Sequence, residues 1–110
     1  ETVLDVVSRL LASLGYKVIP ARDGEQALAA WRQHAGEIRL ALIDLTMPRL
    51  AGDQATRRLR DLAPTLPIVL MSGYPEPDIQ PRFADVPHVA YLQKPFRLPA
   101  LIELIRKVLA

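Results

Sequence analysis

The chain contains no cysteine, which excludes disulfides and thiolate metal sites. It contains no apolar run approaching the length of a membrane span, and no signal-peptide pattern is visible. The expected location is therefore the cytoplasm, with no membrane contact by this domain. Net charge is small as well. At +2 it gives no case for nucleic acid as a partner. Arg57, Arg58 and Arg60 form a basic cluster, but a solvated helix face accounts for it. There are no internal repeats, low-complexity tracts or linkers. What remains is an ordinary globular composition, 50% hydrophobic and 24% charged over 110 residues, enough for one domain with a real core.

The most informative stretch is Leu40-Ala41-Leu42-Ile43-Asp44-Leu45-Thr46-Met47-Pro48-Arg49-Leu50-Ala51-Gly52. It opens as an unbroken apolar run, the pattern of a strand buried on both faces of a parallel sheet. The run stops at a carboxylate, and Met47-Pro48 and Gly52 then make a turn. Asp44 thus falls at the carboxyl end of a central strand, where open α/β sheets place their ligands. Taken alone, Asp44 is equally readable as a strand end or a local cap.

Along the rest of the chain, Glu1 to Leu4 reads as part of a strand. Asp5 to Leu14 reads as a helix, with Val6, Val7, Leu10, Leu11 and Leu14 on one stripe and Gly15 as its C-terminal cap. Tyr16 to Pro20 reads as a short strand centred on Val18 and Ile19. Asp23 is placed to cap a helix from about Glu25 to His34, with Ala27, Leu28 and Trp31 inward and His34 favouring the dipole at its end. Arg39 to Asp44 is the central strand. Asp53 to Leu62 is a helix, with Ala55, Leu59 and Leu62 on its inner face. Ile68 to Met71 is a second apolar strand, ending at Ser72-Gly73. A helix from Pro77 to about Ala84 is expected to be short or distorted, because Pro81 removes a donor in its second turn. Val89 to Gln93 is the last strand, and Pro99 opens a closing helix with Leu101, Ile102, Ile105, Val108 and Leu109 on its stripe. Strands alternating with helices through short connections imply a parallel sheet with helices on both faces.

Three motifs then add up. Asp44 with Met47-Pro48 and Gly52 resembles the phospho-acceptor loop of response-regulator receiver domains of two-component signalling. Val69-Leu70-Met71-Ser72-Gly73-Tyr74 is similar to that family's fourth strand with its switch hydroxyl. Ala90-Tyr91-Leu92-Gln93-Lys94-Pro95-Phe96 is similar to its fifth strand, lysine and proline. Order and spacing match, and the resemblance covers nearly the whole chain. With Arg82-Phe83, these segments look most like receivers at the carboxyl end of hybrid sensor histidine kinases. The resemblance implies a flavodoxin-like, CheY-like α/β fold of three layers, with five parallel strands in the order 2-1-3-4-5 and residues 1–110 forming one receiver domain.

It also implies a mechanism. Asp44 would accept a phosphoryl group from a phosphohistidine on a histidine kinase or phosphotransfer domain. The chain would assist its own phosphorylation and dephosphorylation. Mg²⁺ would be held by Asp44 and the backbone carbonyl of Thr46. Lys94 would pair with a phosphoryl oxygen, aimed by a cis bond to Pro95. Ser72 would offer its hydroxyl, and Tyr91 would act as the switch aromatic that reshapes a protein-binding face. Two other families fit worse. A haloacid-dehalogenase-type phosphatase wants a second aspartate where Thr46 stands. A flavodoxin-like cofactor binder wants a hydroxyl- and glycine-rich loop after its first strand, and none is present.

The family's acidic metal-binding pair, at the end of its first strand, has no match. Leu4 passes directly to Asp5-Val6-Val7-Ser8-Arg9-Leu10-Leu11, which resembles the middle of the family's first helix, so the first strand and loop read as incomplete. If Leu4 lay mid-strand and Asp5 on a helix packed over it, they would sit about 10 Å apart, against about 3.8 Å for one peptide unit. The expectation is therefore a break between Leu4 and Asp5, with the pair in the omitted stretch. A continuous peptide there would favour the alternative, a degenerate receiver serving as a constitutive protein-interaction module.

Overall fold

The computed structural model describes residues 3–21, 23–45 and 49–109. Three parallel strands form the sheet: β1 (Ala41–Asp44), β2 (Ile68–Ser72) and β3 (Val89–Gln93), in that order. Asp44 lies beside Met71, and Ser72 beside Gln93. The helices are α1 (Val3–Ser13), α2 (Gly24–His34), α3 (Arg49–Leu62), α4 (Glu76–Ile79) and α5 (Leu98–Leu109), with a 3₁₀ turn, Gln80–Phe83, directly after α4.

Every residue of β2 is buried, as the apolar run requires of a central strand. Alternation along the strands divides the core in two. Ala41, Ile43, Ile68, Leu70, Val89 and Tyr91 belong to one cluster, with Leu28 of α2, Leu59 of α3, Ile79 of α4 and Phe83 of the 3₁₀ turn. Leu42 and Leu92 belong to the other, with Val7 and Leu11 of α1 and Leu101 and Ile105 of α5. Each fully buried aliphatic side chain stabilises the fold by about 1.5–3 kcal/mol relative to exposure. The two layers therefore hold the strand ends in fixed register.

Local chemistry explains the helix boundaries. Gly15 adopts φ +95°, the left-handed conformation that ends a helix cheaply only at glycine. Its N–H donates to the Ala12 carbonyl (3.1 Å), and that of Tyr16 donates to the Leu11 carbonyl (3.1 Å), the paired bonds of a Schellman cap. Asp23 caps α2, its carboxylate accepting from the Gln26 N–H at 2.8 Å. The expected distortion near Pro81 is present: α4 stops after four residues and tightens into the 3₁₀ turn.

Several expectations are overturned. Val3 and Leu4 are helical, within α1, and Glu1 lies outside the described residues. In the sequence Val3 precedes Val6 and Val7 by three and four positions, so the helical period already covers it. Helix α1 runs through both Leu4 and Asp5. Tyr16 to Pro20 forms no strand, although Val18 packs against the second core cluster. A strand needs a ladder partner, and the segment expected to provide one is helical. Three strands of the expected five are therefore present among the described residues. Helix α3 begins one turn earlier than expected, at Arg49. Arg60 is buried rather than solvated, donating to the carbonyls of Ala63 (2.7 Å) and His88 (3.2 Å).

Candidate functional site

Parallel strands bring their carboxyl ends to one edge, and Asp44, Ser72 and Lys94 all stand along it. Asp44 ends β1, Ser72 ends β2, and Lys94 follows the last residue of β3. Lys94 Nζ donates to Asp44 Oδ1 at 2.7 Å. Only 14% of the lysine side chain and 17% of the aspartate side chain are exposed, so this ion pair is largely desolvated. The backbone locks the same edge. The Leu45 N–H donates to the Met71 carbonyl at 2.8 Å, and the Lys94 N–H donates to the Ser72 carbonyl at 2.7 Å. The Lys94–Pro95 peptide is cis.

Ser72 is buried, and its Oγ accepts the Tyr74 N–H at 3.0 Å, closing a short turn at the head of the next segment. Tyr91, in the middle of β3, is half-buried. Burial first, and the nearby Glu76 charge second, raise its phenol above the ordinary tyrosine range, so the hydroxyl is neutral at physiological pH. A cavity of about 10 Å³, with room for little more than one water, lies among Ser72, Tyr74, Glu76, Ile79 and Tyr91. A larger hollow of about 70 Å³ lies between α1 and α5, lined by Leu11, Leu14, Tyr16, Ile102, Ile105 and Arg106 and by none of the three edge residues.

A hard divalent cation such as Mg²⁺ demands near-octahedral oxygen ligation. The described residues contain no group of three or more histidine, cysteine or acidic side chains able to hold a metal. Asp44 offers its carboxylate, while Thr46, whose carbonyl was expected to join it, lies outside the described residues. The described residues do not by themselves fit a tightly held Mg²⁺.

Sequence reasoning missed a second group of charged side chains. Arg82 Nη2 donates to both oxygens of Asp53, at 2.5 and 2.6 Å, and Arg57 Nη1 donates to Asp85 Oδ2 at 2.7 Å. These contacts join α3 to the segment after α4 across 28 or 29 residues of chain. Short-range periodicity carries no signal for pairs that distant.

The family model for the response regulator receiver domain matches residues 1–106. The sensor kinase CckA of Brucella abortus is 31% identical over 101 residues, covering 92% of this chain and 11% of the kinase's length. The chemotaxis protein CheY4 of Vibrio cholerae superposes with a TM-score of 0.87 at 25% identity, over 96% of this chain and 88% of that one. The receiver domain of the hybrid histidine kinase CckA superposes with a TM-score of 0.79 at 32% identity, again over 96% and 88%. The fold is thus the flavodoxin-like one of CheY-type receivers.

Proposed function

We propose a phospho-acceptor function from a plain premise: the chain belongs to the response regulator receiver domain family of two-component signalling. Asp44 is the acceptor. One of its carboxylate oxygens attacks the phosphorus of a phosphohistidine on a histidine kinase or phosphotransfer domain. The P–N bond breaks, the imidazole nitrogen leaves with the electron pair, and an aspartyl phosphate results. The observation that carries this reading is the 2.7 Å Lys94–Asp44 pair at the carboxyl edge of the sheet, next to Ser72.

Lys94 screens the approach of an anionic phosphoryl group to an anionic carboxylate, then stays as a point charge on a phosphoryl oxygen. Ser72 gives its hydroxyl to another oxygen. To do so it turns away from the Tyr74 N–H, and Tyr91 moves into the space made beside Glu76 and Ile79. That motion couples a charge at the strand ends to the face presented by α4 and β3. Receiver domains generally take up Mg²⁺ for phosphorylation, and Asp44 with the Thr46 carbonyl would be its contacts in this chain. The relatives named above include hybrid kinases, so such a kinase is the natural setting for the domain.

The second reading is a degenerate receiver, a constitutive protein-interaction module. It is the reading to take if the acidic pair that the family places at the end of its first strand has no counterpart in this protein, since Leu4 passes directly to Asp5 in the sequence. Intact mass after treatment of the protein with a small phosphodonor and Mg²⁺ separates the two. The phospho-acceptor reading expects one labile addition, lost in Asp44→Asn. An unmodified protein under all donor and metal conditions supports the degenerate module instead.

A further inference from the structure

The segment that follows Ser72 is poorly able to hold its own shape. Helix α4 is four residues long, far below the length at which a helix persists alone. Pro75, Pro77 and Pro81 contribute no backbone donors. Its position is set from outside, and the anchors are unevenly distributed.

At the rear, the side chains of the 3₁₀ turn are bound to α3. Arg82 is paired with both oxygens of Asp53, and both residues are largely shielded from water. Arg57 reaches the other way, to Asp85 and, through Nη2, to the Arg82 carbonyl at 2.8 Å. Both guanidinium groups lie on the Phe83 ring, 5.9 Å (Arg57) and 5.6 Å (Arg82) from its centroid. Phe83 itself is 1% exposed. Each half of this arrangement orders the other, because the two arginines flank one ring and Arg57 also holds the backbone carbonyl of Arg82.

At the front, the anchors are few. Glu76, Pro77 and Asp78 are exposed, and Ile79 is the one buried side chain of α4. The Asp78 N–H donates to the Pro75 carbonyl at 3.0 Å, and the chain before it hangs on the Tyr74 N–H to Ser72 Oγ bond. A hydroxyl drawn from Tyr74 toward a phosphoryl group would release the front end. Nothing in that step touches the rear anchors.

We infer that Arg57, Arg82, Asp53 and Phe83 form a pin that fixes the 3₁₀ turn to α3, about which α4 pivots when Asp44 is phosphorylated. This rests on the phospho-acceptor reading of Asp44. The output is then confined to the front end, beside Tyr74 and Tyr91, while Gln80–Phe83 stays in place. The prolines fit such a lever, because a donor-poor front end has few backbone hydrogen bonds to break when it tilts.

The test follows the backbone amides of the intact protein by NMR before and after phosphodonor treatment, with occupancy read by mass. Shifts at Tyr74, Glu76, Asp78 and Ile79 are expected to exceed those at Arg82, Phe83, Ala84 and Asp85 by about threefold or more. In Arg82→Gln, or in the isosteric Asp53→Asn if the first variant fails to fold, the two groups should shift by similar amounts. A protein that gains mass and shifts equally at both ends overturns the pin alone. A protein that gains no mass overturns the phospho-acceptor reading, and the pin's role in signalling with it.

Discussion

The Lys94–Asp44 pair should behave as a strongly coupled unit, and a double-mutant cycle measures how strongly. The variants are Lys94→Met, which keeps the length of the stem, Asp44→Asn, which keeps the shape of the carboxylate, and the two together. At the observed 2.7 Å the Coulomb attraction is about 1.5 kcal/mol at the dielectric of water and about 6 kcal/mol at an effective dielectric near 20. Side-chain exposures of 14% and 17% put the pair toward the less screened end, but desolvation takes back much of the gain. The coupling expected from the cycle is therefore about 2–3 kcal/mol, well above the few tenths typical of exposed pairs. Urea denaturation of the four proteins measures it. With a slope of about 1–2 kcal/mol/M for a chain of this size, the double variant should unfold about 1–3 M higher than additivity of the singles requires. The same burial makes the coupling insensitive to added salt. A coupling below about 0.5 kcal/mol, or one that disappears at high salt, would refute the claim that the two charges meet in a shielded site.

Two further perturbations test the surroundings of the site. Gly15→Ala places a Cβ where no atom lies within 4 Å, so the cost is that of the left-handed backbone alone, about 1–2 kcal/mol, read as a lower thermal midpoint; an unchanged midpoint would contradict the cap geometry. Arg57 holds the Asp85 carboxyl below the ordinary aspartate range, mainly through its hydrogen bond. A depressed folded-state value means that the pair adds stability above the unfolded pKa near about 4 and loses it as pH falls through the lower folded value. Asp85→Asn should therefore flatten the acid limb of the stability profile below about pH 5, and an unaltered limb would count against the contact.

What the sequence made legible follows from the range of each interaction. The caps at Asp23 and Gly15 and the break at Pro81 depend on neighbours within five residues, and the spacing of residue types displays them. The buried run before Asp44 and the apolar strand before Ser72 were readable because a parallel strand covered on both faces tolerates nothing polar. The meeting of Asp44 with Lys94 spans 50 residues. It was legible through the resemblance to receiver domains, and a parallel sheet, which collects its strand ends at one edge, is what makes such a meeting possible. No such rule governs Arg82 with Asp53, where two exposed-looking charges could have faced solvent as well as one another. Arg60 shows the same limit, since its burial depends on the His88 carbonyl, offered by a residue at φ +58° that nothing nearby in sequence announces. The first segment failed for a different reason. A short apolar start such as Val3-Leu4 fits a strand or a helix equally well, and the continuing stripe through Val6 and Val7 decided it.

The central claim, that Asp44 is the residue that receives the phosphoryl group, is tested most directly by trapping the product. Treatment of the intact protein with a phosphodonor followed by borohydride reduces an aspartyl phosphate to homoserine, and peptide mapping locates it. Homoserine at position 44, absent without donor and absent when Ser72 or Lys94 peptides are searched for modification, is the predicted result. Phosphate retained on any other side chain, or homoserine at another aspartate with position 44 intact, would contradict it.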